Sequence, residues 1–447
     1  MKFTFEEIKK ATNAEVLRLT KKPNSLSIST DTRTVNETNI YLPLIGEKFD
    51  GHNFIEDALN KGAKGYFTSD KNIILDKAEF VLYVENTLIA YLKLANYYKR
   101  KINPITIAVT GSSGKTTTKE MLASVVSQKY KTHKSILNHN NEIGLCQTLL
   151  SMPEDTEVLI AEMGMRGPGE IELLSKYAQP DIAIISNSGT AHIGRLGSVQ
   201  AIAKAKCEIT SHLHPEGTLL AHDTELLRKT NSFKGNSIFL GLDAKELSDI
   251  ELESSSSKFI YKKFPFKLNV EGEHNIQNAL FVINTGLKLG ISAELIAKGL
   301  EEYKPIEKRW EISEIAGYKI INDSYNSNPE SAKAAISAFL STQKTELPRV
   351  LVLGDMKELG RQEKHFHKQV GEFINNFDHV ELITVGKLAK YITKGLAIEK
   401  NIKFASFENN QDVAKYLLEN IPSGTTMLLK ASRSMKFEEI ITELEKA

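Results

Sequence analysis

The chain has 447 residues, with 57 lysines and arginines against 56 aspartates and glutamates and a formal charge of +1. So even a balance argues against a broad nucleic-acid-binding face, and two cysteines, Cys146 and Cys207, cannot build a disulfide framework or a cysteine zinc site. No apolar run reaches the ~18 to 20 residues of a membrane helix, and the charged start MKFTFEEIKKA is no secretory signal. The expectation is a cytoplasmic chain of about three domains, without nucleic-acid partner or membrane insertion and monomeric by default.

Residues 1–102 mix short strands with turns such as GEKFDGHNF and end in the helical stretch ENTLIAYLKLANYYKRK. This reads as a small α/β domain, with Lys99, Arg100 and Lys101 as a solvated helix end. From Asn103-Pro104 a second block, 103–310, alternates apolar runs (ITIAV, EVLIAEMG, DIAIISN) with helical stretches, the pattern of a parallel sheet covered by helices. Its polar segment from Asn231 to Lys263, which contains the run ESSSSK, is expected to form exposed strands and turns at the far edge. A helix over NIQNALFVINTGLKLG follows. The third block, 311–447, restarts the strand-helix rhythm with YKIINDSY, RVLVLGDM, ELITVG and TMLLKAS. It reads as a doubly wound, Rossmann-like unit without the glycine fingerprint of a dinucleotide site, hence a substrate or closure domain.

The chemistry begins at AVTGSSGKTTTKEML, residues 108–122. An apolar strand runs through a glycine turn into a helical pattern, in the form G-x-x-G-K-T. Gly111 and Gly114 let the backbone approach an anion, amides at the helix start point at it, and Lys115 adds a mobile positive charge. The Thr116 hydroxyl is placed to bind Mg²⁺. Glu162 follows the neighbouring apolar strand directly, where an acid reaches a cation held by Thr116. His192, in NSGTAHIGRLGS, also follows an apolar strand and is either a structural histidine or a ligand. From these features alone a ligase, a small-molecule kinase or ATPase, and a nucleotide-gated binding module all stay open.

The motifs TGSSGKTTTKEM, NHNNEIGLCQTLL, AEMGMRGPGEI, NSGTAHIGRLGS, AKAKCEI, GEHNIQNAL, KRWE, NDSYNSNPES, LGDMKELG and KASRSM stand in the order in which Mur ligases carry them. The chain resembles that family over nearly its whole length. Within the family, LGDMKELGRQE in place of a DNPR motif and DSYNSNPES in place of a histidine-bearing version point to the member that adds D-alanyl-D-alanine. The expected substrate is UDP-N-acetylmuramoyl-tripeptide, with lysine or diaminopimelate both open as its last residue. The resemblance implies an ATP-dependent amide ligase working through an acyl phosphate.

By the same resemblance, Gly111, Ser112, Ser113, Gly114, Lys115, Thr116 and Thr117 hold ATP phosphates, and two Mg²⁺ ions sit on Thr116 and Glu162 and near His192 and Lys206. Lys206, in AKCEI, matches a lysine that the family carries as a carbamate; its bland reading is a surface lysine. Lys115, Glu162, His192 and Lys206 are thus the expected catalytic set. Asn275 matches a residue beside adenine, Arg309 matches a residue that reaches ATP across the domain junction, and Asp323 and Tyr325 match positions of the third domain that meet the nucleotide. Substrate binding falls to Thr30, Asp31, Thr32 and Arg33, to Lys48, Asp50, Gly51 and His52 around Phe49, and to Asn326, Lys430, Ser432 and Arg433.

Overall fold

The computed structural model describes residues 1–136, 138–253, 255–342 and 349–446; Leu137, Ser254 of the serine run, residues 343–348 and Ala447 lie outside it. Three α/β units follow one another along the chain. The first carries a five-stranded sheet in the spatial order Glu15–Leu19, Phe80–Tyr83, Gly65–Thr68, Asn39–Tyr41, Ser27–Ser29. Glu15–Leu19 is antiparallel to its neighbour, and the remaining pairs are parallel. The helix Thr87–Ile102 leaves this unit, capped at its start by the Asn86 side chain and closed by Asn103 in the left-handed conformation (φ 56°). Pro104 then prevents its continuation.

The second unit is built on a six-stranded parallel sheet in the order Asn236–Leu240, Thr218–His222, Ile182–Ile185, Ile105–Thr110, Val158–Glu162, Thr132–Lys134. Helices cover both faces, so its central strands read as continuous apolar runs, and their alternate residues feed two different cores. Ile107, Val109, Val158, Ile160, Ile182 and Ile184 pack with Met121, Leu122 and the helix Glu273–Lys288. Ala108, Leu159, Ala161, Ala183 and Ile185 face the opposite way, into a core shared with Thr87–Ile102 and Glu142–Leu150. That shared core joins the first unit to the second. It also corrects the reading of Lys99, which is 6 % exposed and donates to the Gln179 carbonyl at 3.2 Å.

The polar segment forms strands, but they are not simply exposed. Asn236–Leu240 completes the large sheet, and Leu247–Leu252, Ser257–Tyr261 and Phe264–Leu268 form an antiparallel meander. Period-two alternation buries Phe259, Tyr261, Phe266 and Leu268 against the helices Glu273–Lys288 and Ala293–Glu302, while Lys258, Ile260, Pro265 and Lys267 between them stay partly or fully exposed. The third unit has the sheet order Glu311–Ile315, Tyr318–Asn322, Thr426–Lys430, Arg349–Gly354, Val380–Val385, Lys403–Phe407. Only the first pair is antiparallel. Helices on both faces make it doubly wound.

Candidate active site

The strand Ile105–Thr110 turns at Gly111 and enters the helix Lys115–Val126 at Gly114. Both glycines are required by close approach and by backbone conformation. A Cβ on Gly111 (φ 155°) would stand 1.9 Å from Ser186 Oγ, and one on Gly114 (φ 77°) would stand 2.7 Å from Asn278 Oδ1. The next strand fastens the loop: Asn187 Oδ1 accepts from the Ser112 and Ser113 amides at 2.9 and 3.0 Å, and Ser186 Oγ donates to the Ser113 carbonyl at 2.5 Å. The Asn187 carboxamide therefore takes two of the amides that a glycine loop offers to phosphate oxygens.

Lys115 Nζ donates to the Gly111 carbonyl at 2.7 Å, folded back over the loop. Burial pushes its amine below the ordinary lysine range, with Glu162 opposing that shift and Arg309 adding to it. Thr116 Oγ1 donates to Glu162 Oε2 at 2.9 Å, and Asn140 Nδ2 to Glu162 Oε1 at 3.1 Å. Both carboxylate oxygens are thereby oriented, and the carboxylate and the threonine hydroxyl meet at the end of parallel strands as the sequence suggests.

These groups line a cavity of about 890 Å³ between the second and third units. It brings together all of Gly111, Ser112, Ser113, Gly114, Lys115, Thr116, Thr117, Glu162, His192, Lys206, Asn275, Arg309, Asp323, Tyr325, Asn326 and Lys430. Lys206, at the end of the helix Val199–Cys207, is 1 % exposed rather than a surface lysine. Burial first, and repulsion from Lys115 second, push its amine well below the ordinary range. Arg309 lies over the Tyr325 ring, 4.0 Å from its centroid, and Asn275 Nδ2 donates to the Glu271 carbonyl at 2.8 Å. Lys430 Nζ is 2.5 Å from Asp323 Oδ2 and also donates to the Asn326 carbonyl at 3.2 Å, so these three form one cluster.

His192 takes a left-handed backbone conformation (φ 66°) and sets Nδ1 2.5 Å from Glu358 Oε2 of the third unit. This loop and the phosphate loop are stitched to that unit elsewhere. Thr190 Oγ1 donates to Glu330 Oε2 at 2.8 Å, the Gly194 amide to the Glu358 carbonyl at 3.0 Å, and Asn328 Nδ2 to the Ser112 carbonyl at 3.3 Å. Gly194 and Gly360 touch backbone to backbone: a Cβ on Gly194 would stand 2.5 Å from the Gly360 nitrogen. Gly194→Ala is therefore expected to wedge the two units apart and lower kcat by about ten- to a hundredfold, as small misplacements of reacting groups do. Steady-state kinetics check this, and an unchanged kcat would place the contact outside the working arrangement.

The remaining residues expected to bind substrate stand away from this cavity. Ser432 Oγ accepts from the Lys357 amide at 2.9 Å, and Arg433 pairs with Glu438 at 2.7 Å on the surface. In the first unit Asp31 accepts from the Arg33 amide and guanidinium, which hold its carboxyl down to about 2, while Thr30 and Thr32 flank it. Lys48 precedes a second loop in which Asp50 Oδ1 accepts from the His52 amide at 2.9 Å and lies 2.7 Å from its Nδ1. Gly51 packs so closely that a Cβ would stand 2.7 Å from the Leu44 nitrogen. The first loop is a polar turn after the strand Ser27–Ser29 of the five-stranded sheet, and the second belongs to a two-stranded hairpin of Ile45–Gly46 with Phe49–Asp50 that leads into the short helix Gly51–Phe54.

Sequence reasoning passed over Asn140, Asn187, Asn278, His274 and Glu330, all of which line the cavity. They lie in or beside the family motifs, yet nothing local marks them as pocket residues. His274 is half-buried beside Trp310 with ring centroids 6.0 Å apart, and desolvation lowers it to about 4.

A phosphate loop on a parallel sheet, an oriented carboxylate beside its threonine, and a third α/β unit facing the same cavity define a three-unit, P-loop nucleotide-binding enzyme. Models of the Mur ligase family match residues 26–103 (catalytic domain), 109–286 (middle domain) and 308–433 (glutamate ligase domain). The chain belongs to the Mur ligase family. It is 38 % identical, over 93 % of its length and 92 % of the relative, to UDP-N-acetylmuramoyl-tripeptide--D-alanyl-D-alanine ligase of Bacillus subtilis. The Escherichia coli protein of that name is 30 % identical over 94 % of this chain and 93 % of the relative. Among solved structures, MurF from Acinetobacter baumannii superposes with a TM-score of 0.91 at 29 % identity, covering 100 % of this chain and 99 % of that one. MurF from Thermotoga maritima in complex with ADP gives 0.84 at 28 % identity, covering 94 % and 97 %.

Proposed function

We propose that this chain is an ATP-dependent ligase that joins D-alanyl-D-alanine to UDP-N-acetylmuramoyl-tripeptide and releases ADP and phosphate, making a pentapeptide precursor of peptidoglycan. The observation that carries this reading is the cavity itself, in which a phosphate loop and a third α/β unit face each other across a space large enough for a nucleotide and an acyl group. The domain limits 1–102, 103–310 and 311–447 accord with it, since each segment carries its own principal sheet. Among the described residues no helix is long and apolar enough to cross a membrane. We place the reaction in the cytoplasm, where ATP and UDP-linked precursors are available.

A carboxylate is a poor acyl donor because its leaving group would be oxide. The terminal carboxylate of the tripeptide therefore attacks the γ-phosphorus of ATP, giving an acyl phosphate and ADP. The amine of D-alanyl-D-alanine then attacks the carbonyl, and phosphate leaves from the tetrahedral intermediate. In this chain Lys115 turns from the Gly111 carbonyl to the transferring phosphate, and Ser112 and Ser113 exchange their bonds with Asn187 for bonds to phosphate oxygens. Arg309 and Tyr325 stack as one unit that bounds the nucleotide from the third-unit side. Closure of that unit keeps water from the acyl phosphate.

Two groups beyond ATP belong to this reading. Thr116 and Glu162 supply hard oxygen donors at the phosphate end of the cavity and fit a Mg²⁺ ion. Lys206 is deeply buried, and its depressed amine is the nucleophilic form that adds CO₂ to give a carbamate and a proton. That carbamate, with the second ring nitrogen of His192, would hold a second ion. The ions supply charge neutralisation between triphosphate and carboxylate. Tripeptide labelled with ¹⁸O in its terminal carboxylate is expected to deliver one ¹⁸O to the released phosphate, read by mass spectrometry. Unlabelled phosphate would contradict the acyl-phosphate step.

A further inference from the structure

The helix that begins at the phosphate loop carries a second lysine one turn further on. Lys119 shares a helix face with Lys115 and Thr116, at spacings of four and three residues. Its side chain is fully buried, and its ammonium lies 3.6 Å from Glu162 Oε2 and 3.2 Å from Glu120 Oε1. Glu120 is in turn paired through its other oxygen with Lys134, on the edge strand Thr132–Lys134. Two lysines and two glutamates thus form a neutral chain that starts at the oriented carboxylate and ends at a half-exposed lysine on the far side of the helix.

A carboxylate as deeply buried as Glu162, 2 % exposed, needs a counter-charge, and Lys119 supplies it. The geometry is shared rather than exclusive. Glu162 Oε2 takes a direct hydrogen bond from Thr116 at 2.9 Å and sees the ammonium at a longer distance, while the ammonium sits closer to Glu120. An ammonium fully committed to Glu162 would repel a dication arriving at the same oxygen. One held partly by Glu120 balances the carboxylate until the dication takes over that duty.

We propose that Lys119 is a positioning residue for the metal-side carboxylate, and that Glu120 sets how strongly it competes with a divalent cation for Glu162. This rests on the assignment of Thr116 and Glu162 to Mg²⁺ made above. It assigns opposite electrostatic roles to two adjacent residues, and a role confined to fold stability does not.

The test is a binding titration with Mn²⁺, which takes the same oxygen ligands, with free Mn²⁺ read by electron paramagnetic resonance at fixed ADP, on the full-length protein. Glu120→Gln removes the carboxylate that draws Lys119 away from Glu162 and is expected to raise the half-saturating Mn²⁺ concentration at least threefold. Lys119→Met removes the competing charge at similar length and is expected to lower it at least threefold, with a larger gain in Tm on adding Mn²⁺ than in the unmodified protein. Shifts of the same sign in both variants, or no shift in Glu120→Gln, would overturn the proposal. If Lys119→Met does not fold, Glu120→Gln, whose side chain is 14 % exposed, decides the matter on its own. Glu162→Gln separates the two levels: Mn²⁺ bound as tightly as by the unmodified protein would remove the metal assignment itself and the proposal with it, whereas weakened binding upholds that assignment, and the opposite shifts then decide the role of Lys119.

Discussion

Lys115→Ala is expected to lose at least about 10²-fold in kcat, the scale seen when a group that neutralises developing phosphate charge is removed. The lysine stands at the start of the helix, folded over the loop and anchored to the loop's own backbone at the Gly111 carbonyl. Its amine is lowered by burial, and the negative charge of a triphosphate beside it would act in the opposite direction. Because the helix N-terminus and the Ser112 and Ser113 amides remain, the variant should still bind ADP while failing to turn over. A pulse of substrate with phosphate release followed in time separates the two. Retained turnover would contradict the assignment of this loop to the phosphates.

Lys206→Ala is the second large effect. The carbamate reading requires an extended anion at the end of the helix Val199–Cys207, and alanine leaves a space there in a cavity wall. Turnover is expected to fall by about 10²-fold or more, and a short carboxylic acid such as formate or acetate at high concentration should restore part of it by placing a carboxylate where the carbamate stood. Restoration by chloride at equal ionic strength would show that the acid acts as salt rather than as ligand. A fully active variant would remove the carbamate from the mechanism.

The phosphate loop was legible because each of its requirements is local: an apolar strand, two glycines with left-handed or otherwise side-chain-intolerant backbone, a lysine and a hydroxyl at the helix start. Glu162 was legible for the same reason, since the last residue of a buried parallel strand emerges at the ligand edge. Tertiary pairing was not. Nothing beside His192 points to Glu358, and nothing beside Asp323 points to Lys430, because these partners come together only when separate strands and units assemble. Lys206 and Lys99 show the limit of composition most plainly. A lysine on an amphipathic helix is ordinarily solvated, and only tertiary packing over that helix face decides otherwise, from the second unit over Lys99 and from neighbouring helices of the same unit around Lys206. The polar 231–263 segment failed in the other direction: alternate apolar residues buried half of a meander whose average polarity suggested an exposed edge.

A ligase of this kind couples phosphate release to one amine. Purified protein with Mg²⁺-ATP and UDP-N-acetylmuramoyl-tripeptide, given D-alanyl-D-alanine, free lysine, diaminopimelate or no amine in parallel, puts that coupling to the test. Phosphate release that depends on D-alanyl-D-alanine, together with the pentapeptide product by mass, is the expected result. Release at the same rate whatever the amine, with no amide product, would contradict the ligase assignment and leave an ATPase whose acceptor lies elsewhere.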